Sequence, residues 1–311
     1  MQTILGAGGA IGIELAKALK QFTDEIKLVS RTPKKINDTD FLFSADLTNT
    51  EDVKASIAGN QICYLTVGFE YEAKVWKEKW TKLIKDVVEA CAENQTKLVF
   101  FDNVYAIGEK HIEHITENSP ISPTSEKGKV RAWVDEYIIE AVEKGKIEAI
   151  IARAPDFFGA IKEKSLLMNL IYDNLSNNKT AQWLCNADVV HTTGFVPDLA
   201  LGTAMLGNSN EAFNQIWNLP VEQENITGRD WVNIFASKMQ HSNKVEILTK
   251  ADIKEYGRQD LFIAETYEML YQYDRDYFFD SSKFNKAFDF KPTSNAEAVE
   301  LTLSELMQKK S

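Results

Sequence analysis

Residues 6–12 form a glycine-rich segment with the sequence Gly6-Ala7-Gly8-Gly9-Ala10-Ile11-Gly12. The apolar run 3–5 precedes this segment, and apolar residues follow it at helical spacing, at positions 11, 15, 19 and 22. A strand, a glycine turn and a helix in this order bring the backbone against a pyrophosphate and point the positive end of the helix at its charge. The alternative is a flexible turn without a ligand, but the flanking strand and helix favour a dinucleotide site.

The three spaced glycines have separate tasks in such a site. Gly6 permits the tight turn, Gly9 lets the backbone approach the phosphates, and Gly12 lets the helix pack closely on the strand. The cofactor-binding residues predicted in this segment are Gly6, Gly8, Gly9, Ala10, Ile11 and Gly12.

Apolar strand-like runs alternate with helical runs in the first half of the chain. Strands are predicted at 3–5, 26–29, 41–45, 62–66, 98–101 and 147–152, and helices at 11–22, 52–58, 72–93 and 130–143. This alternation indicates parallel strands joined by right-handed crossovers. Short, almost wholly apolar strands are typical of a sheet with helices on both faces. We therefore predict an α/β fold, a doubly wound parallel Rossmann sheet with a smaller, mainly helical C-terminal substrate domain.

The regular alternation ends near residue 159, and no Pro/Gly/Ser-rich linker separates two halves. A strand and a helix of the same type return around residues 198–219. We therefore predict an NAD(P)-binding Rossmann domain at 1–158 plus about 188–220, and a substrate-binding region at 159–187 plus 221–311.

Composition narrows the class of protein. The net charge of −11 argues against a nucleic-acid partner or an anionic membrane surface. Three widely spaced cysteines, Cys63, Cys91 and Cys185, are typical of buried thiols in a reducing compartment. No apolar run has the length of a membrane span, and no signal peptide precedes the first strand. We expect a cytoplasmic protein without a membrane partner.

Ser30 and Arg31 follow the second predicted strand, and two lysines come shortly after them. A site that prefers NAD usually has an acidic residue about 20 residues after the glycines. A guanidinium at this point suits a ribose 2′-phosphate, to which the Ser30 hydroxyl adds a hydrogen bond. The sequence therefore predicts NADP, with NAD as the second choice; the alternative is a solvated basic turn.

Asp46 and Leu47 follow the third predicted strand. A carboxylate here can accept a hydrogen bond from the adenine amino group, and it can equally cap the helix that begins near residue 50. Both roles for Asp46 stay open.

Several further motifs occur in a fixed order along almost the whole chain. After the glycine turn and Asp46-Leu47 come the segments 101–105 (FDNVY), 153–159 (RAPDFFG), 195–200 (FVPDLA), 280–283 (DSSK) and 288–292 (FDFKP). In this order they resemble the extended short-chain dehydrogenase/reductase superfamily, which contains the nucleotide-sugar epimerases and dehydratases. The resemblance implies a nicotinamide dinucleotide cofactor, NADP or NAD, with Pro155 in the segment that runs beside the nicotinamide.

That family carries out proton transfer with a Ser-Tyr-Lys set. The tyrosine is the general acid/base, the lysine lowers its pKa and holds the ribose, and the serine orients the substrate carbonyl. Lys127 stands at the expected position of the tyrosine, Arg131 at that of the lysine, and Asn103 at that of the serine. The chain therefore resembles an atypical member in which all three groups are replaced.

The replacements retain groups that can move a proton. Lys127 and Arg131 are four residues apart and share a helix face, so the guanidinium is expected to lower the lysine pKa towards the range of an acid/base. Asn103 keeps a donor and an acceptor, and Tyr105 supplies a phenol. The catalytic candidates are Lys127, Arg131, Asn103 and Tyr105. The alternative, in which Lys127 and Arg131 only bind the cofactor ribose and phosphate, is equally open.

Three histidines are candidates for site residues. His111 and His114 lie in a stretch without clear periodicity, 102–126, which is typical of a lid or binding loop. No third ligand accompanies them, so we predict no metal. We interpret His191 as a structural histidine.

These observations predict an NAD(P)-dependent oxidoreductase or epimerase/dehydratase-like enzyme that prefers NADP. The predicted substrate is a small carbonyl or hydroxyl compound or a nucleotide sugar. The alternative is a catalytically inactive NADP-binding sensor or scaffold, since a fold alone does not establish turnover. The family's usual dimer bundle corresponds to helices 72–93 and 130–143, but their many Lys and Glu residues leave the homodimer open.

Overall fold

The computed structural model describes residues 1–161 and 165–309. The described chain divides into two compact units. Unit 1 comprises Met1–Ala106, Glu126–Ala154 and Leu199–Leu219, and unit 2 comprises Ile107–Ser125, Pro155–Asp198 and Pro220–Ser311.

The secondary structure alternates regularly as far as residue 153 and less regularly beyond it. The first elements are β1 (Gln2–Leu5), α1 (Ala10–Leu19), β2 (Ile26–Ser30), β3 (Phe41–Ser44), α2 (Thr50–Ile57), β4 (Ile62–Leu65), α3 (Ala73–Asn94), β5 (Lys97–Asp102), α4 (Glu126–Glu143) and β6 (Ala149–Arg153). The later elements are β7 (Asp156–Phe158), α5 (Asn174–Ser176), β8 (Ala181–Leu184), β9 (Thr193–Phe195), α6 (Val196–Gly207), β10 (Gln215–Asn218), α7 (Gly228–Met239), β11 (Val245–Leu248), α8 (Lys250–Tyr256), α9 (Leu261–Thr266), α10 (Ser282–Ala287) and α11 (Asn295–Gln308).

Unit 1 contains a seven-stranded sheet in the order β10-β6-β5-β4-β1-β2-β3. Every neighbouring pair is parallel, and β1 is paired on both sides, with Gln2 opposite Ile26 on β2 and Ile62 on β4. The order runs outward from β1 in both directions, which is the doubly wound topology that the alternating runs predicted. The predicted fold class is confirmed, and all carboxyl ends of the strands lie at one edge of the sheet.

Helices α3 and α4 supply much of the core of unit 1. Trp80, Ile84, Val87 and Cys91 of α3 recur every three or four residues, are fully buried, and share one hydrophobic cluster with Ile138 of α4. This spacing keeps the apolar side chains on one helix face, where they cover the sheet.

Strand β3 departs from the expectation of a sheet covered on both faces. Phe41 and Leu42 are 52% and 45% exposed. These side chains are exposed because β3 is the last strand of the sheet and pairs only with β2. The prediction of three buried thiols also needs a correction, since Cys63 and Cys91 are buried but Cys185 is half-exposed.

Unit 2 has its own core and two small parallel sheets. Strand β8 pairs with β11, and β7 pairs with β9. The core includes the fully buried side chains Trp183, Trp231 and Phe235 together with residues of the helix α11. Before β8, unit 2 has a π-helical segment at Met168–Asp173, which α5 follows directly.

The two units do not coincide with the predicted domain boundaries. The segments Ile107–Ser125, 155–158 and 188–198, which we assigned to the first domain, belong to unit 2. Backbone pairing explains the difference, because Ile115 pairs with Phe279 and His191 pairs with Tyr277. Across the described residues, we find no helix with the length and apolar character required to cross a membrane.

Candidate cofactor and catalytic site

The glycine turn connects β1 to α1 at the carboxyl edge of the sheet. Gly6 has φ +95°, in the left-handed region, and a Cβ there would lie 2.9 Å from the backbone of Thr66. A Cβ at Gly12 would lie 2.6 Å from the Gly6 carbonyl oxygen and 2.8 Å from the Cα of Ala7. Backbone atoms block both positions, so this turn requires glycine at 6 and at 12.

The remaining glycines leave space over the start of α1. Gly9 is the N-cap of α1, and both Gly8 and Gly9 are exposed. A Cβ at Gly8 would meet no heavy atom within 4 Å. The first N–H groups of a helix have no acceptor within it, so Ala10 and Ile11 present backbone donors where the turn is open. The Ile11 side chain is buried and contributes to the core.

Ser30 and Arg31 lie where β2 ends, next to β1 in the sheet. The carbonyl oxygens of both residues are engaged: Ser30 O accepts from Ala45 N at 3.0 Å, and Arg31 O accepts from the Ser44 hydroxyl at 2.9 Å. The Arg31 side chain is exposed and the Ser30 side chain half-buried. The backbone is thereby fixed while the guanidinium faces solvent.

The structure excludes one of the two roles left open for Asp46. Asn49, not Asp46, caps α2, since its side chain accepts from the N–H groups of Glu51 and Asp52. Asp46 instead accepts hydrogen bonds from the Thr48 N–H and hydroxyl at 3.0 and 2.8 Å, which hold its pKa below the ordinary value. The capping role is wrong, and exposed Asp46 remains a predicted adenine contact beside half-buried Leu47.

Two tyrosines meet at the carboxyl edge beside β4 and β5. The phenol oxygens of Tyr71 and Tyr105 are 3.1 Å apart. Asn103 accepts a hydrogen bond from the Tyr105 N–H at 2.9 Å, so its side chain shapes the turn after β5. The Nζ atom of Lys127 lies 4.6 Å from the centroid of the Tyr71 ring. Three of the predicted catalytic residues therefore gather with Tyr71, which was not among the predicted residues.

Arg131 occupies a different environment from the one predicted. It shares the buried face of α4 with Lys127, but its guanidinium pairs with Asp102 at 3.0 Å and packs 4.1 Å from the Trp80 ring centroid. Burial lowers the pKa of Arg131, whereas the carboxylate of Asp102 opposes that shift. Because the Arg131 guanidinium is paired with Asp102 inside unit 1, it is poorly suited to bind a cofactor ribose.

A second acidic residue completes this buried charge network. Asp135 lies 3.3 Å from Arg153, and both side chains are almost completely buried. Burial raises the pKa of Asp135 well above its ordinary value, and the charge of Asp102 and a hydrogen bond to that residue raise it further. The network thus brings together two guanidinium groups and two carboxyl groups, with Asp102 and Arg153 at the ends of β5 and β6 and Arg131 and Asp135 on α4.

Unit 2 contains a separate polar cluster beside the predicted cofactor segment. Pro155 is buried and is followed by Asp156, whose Oδ2 atom lies 3.1 Å from His191 Nε2 and accepts a hydrogen bond from the Tyr273 hydroxyl at 2.5 Å. His191 Nδ1 lies 3.1 Å from the Gln272 carbonyl oxygen. The hydrogen-bonding capacity of His191 is satisfied, as expected of a structural histidine.

The two loop histidines do not converge on a common ligand. His114 is exposed and lies 2.9 Å from Asp280, whereas His111 belongs to a short 3-10 segment, Glu109–His111. Within the described ranges, no group of three or more His, Cys, Asp and Glu side chains has the arrangement of a metal site.

The Asp156 carboxylate makes the stability of the folded protein depend on pH in the acidic range. Burial would raise the pKa of Asp156, but hydrogen bonds from His191 and Tyr273 and the charge of His191 hold it below its ordinary value. A carboxylate with a depressed pKa stabilises the folded state above its unfolded pKa, and this contribution is lost as the pH falls from about 4 through the folded pKa. Between about pH 5 and 3, we expect the melting temperature of the wild type to fall more steeply than that of Asp156→Asn. Parallel curves would contradict this.

A comparison with models of known protein families gives a match that covers more than half of this chain. The model of the NAD dependent epimerase/dehydratase family matches residues 3–219. Among curated protein sequences, we find no significant match.

Solved structures share the fold at low sequence identity. The dTDP-glucose 4,6-dehydratase of Streptomyces venezuelae, with NAD and TYD bound, has a TM-score of 0.82 at 15% identity and covers 100% of this chain and 98% of its own. The UDP-glucuronic acid 4-epimerase of Bacillus cereus in complex with NAD has a TM-score of 0.81 at 15% identity and covers 100% of both chains. The UDP-glucose 4-epimerase of Thermus thermophilus, also in complex with NAD, has a TM-score of 0.76 at 17% identity and covers 99% of both.

Proposed function

Because the chain belongs to the NAD-dependent epimerase/dehydratase family, we propose that it is a nicotinamide-dinucleotide-dependent enzyme of nucleotide-sugar type. The observation that carries the proposal is the glycine turn. Gly6 and Gly12 are blocked by backbone on their inner sides, and the turn is open at Gly8 over the first turn of α1. A backbone cradle at a helix N-terminus suits a pyrophosphate.

The residues around the turn fit a dinucleotide. Gly8, Ala10 and Ile11 would hold the pyrophosphate through backbone N–H groups, and Asp46 would accept a hydrogen bond from the adenine. Gly9, whose N–H donates to the Gly6 carbonyl oxygen at 3.1 Å, would let the backbone approach the phosphates. When bound, the nicotinamide takes up or returns a hydride, which is the redox part of the chemistry. The chain itself supplies binding, orientation and a proton carrier.

A sugar hydroxyl or carbonyl is the proposed reacting group of the substrate. Support comes from the family match and from the solved structures of similar fold, which include a dTDP-glucose dehydratase and two UDP-sugar epimerases. An active enzyme is favoured over a sensor or scaffold because phenol, ammonium and amide groups gather at the carboxyl edge of the sheet. Assembly as a homodimer and a cytoplasmic location stay predictions.

We further propose a preference for NADP over NAD. The end of β2 offers the exposed Arg31 and the Ser30 hydroxyl where a carboxylate would favour the unphosphorylated ribose. A guanidinium binds a phosphate through two parallel hydrogen bonds. The three solved structures named above contain NAD, so the preference depends on the residues of this chain.

Thermal stabilisation by the two cofactors tests this preference. A ligand that binds only the folded state raises the melting temperature according to its concentration and affinity. At equal concentrations, we expect NADP⁺ to give the larger rise, and Arg31→Ala to weaken NADP⁺ binding about tenfold or more through loss of a charge-assisted contact. Arg258→Ala, which removes an exposed arginine of unit 2, serves as the matched control. Equal rises with NAD⁺ and NADP⁺ in the wild type would refute the preference, and no rise with either would refute the dinucleotide site.

A further inference from the structure

Tyr71 and Tyr105 bring two phenol groups together beside adjacent strands of the sheet. Tyr71 lies in the connection from β4 to α3, and Tyr105 lies three residues after β5. Their oxygens are 3.1 Å apart, within hydrogen-bond distance, and both side chains are half-buried. In open α/β sheets, ligands bind outside the carboxyl ends of the strands, which is where this pair lies.

Aromatic and backbone contacts fix the position of the pair. The Tyr105 ring stacks on Trp76 at 6.0 Å with an interplanar angle of 15°, and the Tyr71 ring meets Trp76 edge-on at 5.8 Å. The backbone N–H of Tyr105 donates to Asn103. These contacts therefore hold the two tyrosine rings in place beside each other, as a proton carrier requires.

Positive charge lies beneath the pair. The Lys127 ammonium is 4.6 Å from the Tyr71 ring centroid. The Arg131 guanidinium is 4.9 Å from the Trp76 ring centroid and is paired with the Asp102 carboxylate at 3.0 Å, so Lys127 is the main source of positive charge. The electrostatic interaction between Arg131 and Tyr105 favours the charged forms of both. A positive charge near a phenol stabilises the phenolate, which is the form that accepts a proton.

We propose that Tyr105 is the catalytic residue that exchanges a proton with the substrate, that Tyr71 is its positioning residue, and that Lys127 stabilises the pair electrostatically. This inference rests on the proposed function and replaces the role first considered for Lys127. The Lys127 side chain is 0% exposed, whereas Tyr105 is half-exposed and accessible to a substrate.

In the proposed step, a substrate alcohol is oxidised to a carbonyl. The O–H bond of the substrate hydroxyl breaks, and its proton forms a new O–H bond with the phenolate oxygen of Tyr105. The electron pair left on the substrate oxygen becomes the second bond of a carbonyl, while the neighbouring C–H bond breaks and its hydride passes to the oxidised nicotinamide dinucleotide. Tyr71, hydrogen-bonded to Tyr105, stabilises the phenolate before the transfer.

Ultraviolet titration near 295 nm, where tyrosinate absorbs, tests the proposal without a substrate. The chain has ten tyrosines, so each contributes one-tenth of the total change. We expect one tyrosine of the wild type to ionise at lower pH than the others, and this step to be absent from Tyr105→Phe. Burial raises the pKa of Tyr64 and Tyr271, so neither of these two accounts for an early step.

Two further variants sharpen the titration. Tyr71→Phe keeps the ring beside Lys127 and Trp76 but removes the hydroxyl, so the early step should move up by about one pH unit, as loss of a hydrogen bond to a charged group implies. Tyr137→Phe, in a ring stacked on Trp133 of α4, is the control and should leave the step unchanged. The proposal is overturned if the wild type lacks an early step or if Tyr105→Phe retains it.

A turnover assay is the second test of the proposal. The probe substrates are UDP-glucose, UDP-glucuronic acid and dTDP-glucose, and the oxidant is NAD⁺ or NADP⁺. Tyr105→Phe should lower kcat about 100-fold or more without weakening dinucleotide binding, the usual effect of losing a general acid/base. Retained turnover in Tyr105→Phe overturns the proposal while leaving the proposed function intact. A wild type that neither binds a dinucleotide nor converts a probe refutes the proposed function instead, and the titration still decides whether Tyr105 is the ionised residue.

Discussion

Arg131→Met is expected to lower the free energy of unfolding by about 3–5 kcal/mol, the usual cost of removing one partner of a buried ion pair. The Arg131 side chain is 7% exposed and that of Asp102 is 0% exposed, so water cannot replace the missing partner of the carboxylate. Methionine fills much of the volume beside Trp80 but carries no charge. Denaturant unfolding at pH 7 measures the effect.

Two further variants separate charge from packing in that result. Arg229→Met removes the equivalent side chain from the exposed pair with Asp188, and its unfolding midpoint should match the wild type because solvent screens such pairs. The double variant Asp102→Asn/Arg131→Met should recover part of the loss, since it leaves no uncompensated carboxylate in this pair. Equal midpoints for Arg131→Met and Arg229→Met would show that the buried pair does not carry the stability assigned to it.

Gly12→Ala is expected to lower the melting temperature and to abolish the stabilisation by a dinucleotide. Its Cβ would lie 2.6 Å from the Gly6 carbonyl oxygen and 2.8 Å from the Ala7 Cα, and neither atom can rotate away as a side chain can. Overpacking of this kind costs about 1–3 kcal/mol or more. The turn can relieve the contact only by moving away from α1, which would disturb the cradle.

Gly8→Ala is the matched control on the same turn. A Cβ at Gly8 meets no heavy atom within 4 Å, so the free protein should melt as the wild type does. The added methyl group would nevertheless lie on the open side of the turn, and we expect weaker dinucleotide binding. A Gly12→Ala protein with wild-type stability and full cofactor response would contradict the packing argument.

The sheet was predictable because its signals are local. Each strand is a short apolar run, and each helix of unit 1 keeps its buried residues at helical spacing, as Trp80, Ile84, Val87 and Cys91 show. The glycine turn was equally readable, because its task depends on seven consecutive residues. Such patterns need no knowledge of partners distant in the chain.

The environment of Arg131 was not predictable by the same means. Its spacing from Lys127 placed both on one helix face, but nothing in α4 reveals that Asp102 at the end of β5 meets the guanidinium. Tyr71 was missed for a similar reason, since its partner Tyr105 follows a different strand. Hydrogen bonds between residues distant in sequence arise from the topology, and no single segment carries their signature.

The pairing of distant segments also has a consequence for the order in which the protein is synthesised. Strand β10 can pair with β6 only after the segment Pro155–Asp198 has left the ribosome. Ile115 can form its backbone pair only after Phe279 has been synthesised. Neither unit is continuous, because unit 1 needs Leu199–Leu219 and unit 2 needs Pro220–Ser311. The outer edge of β6 stays unpaired until β10 has been synthesised. Exposed strand edges favour aggregation. Because unit 1 is complete once Leu219 has emerged, whereas unit 2 also needs Pro220–Ser311, slow elongation should favour folding of unit 1 before unit 2.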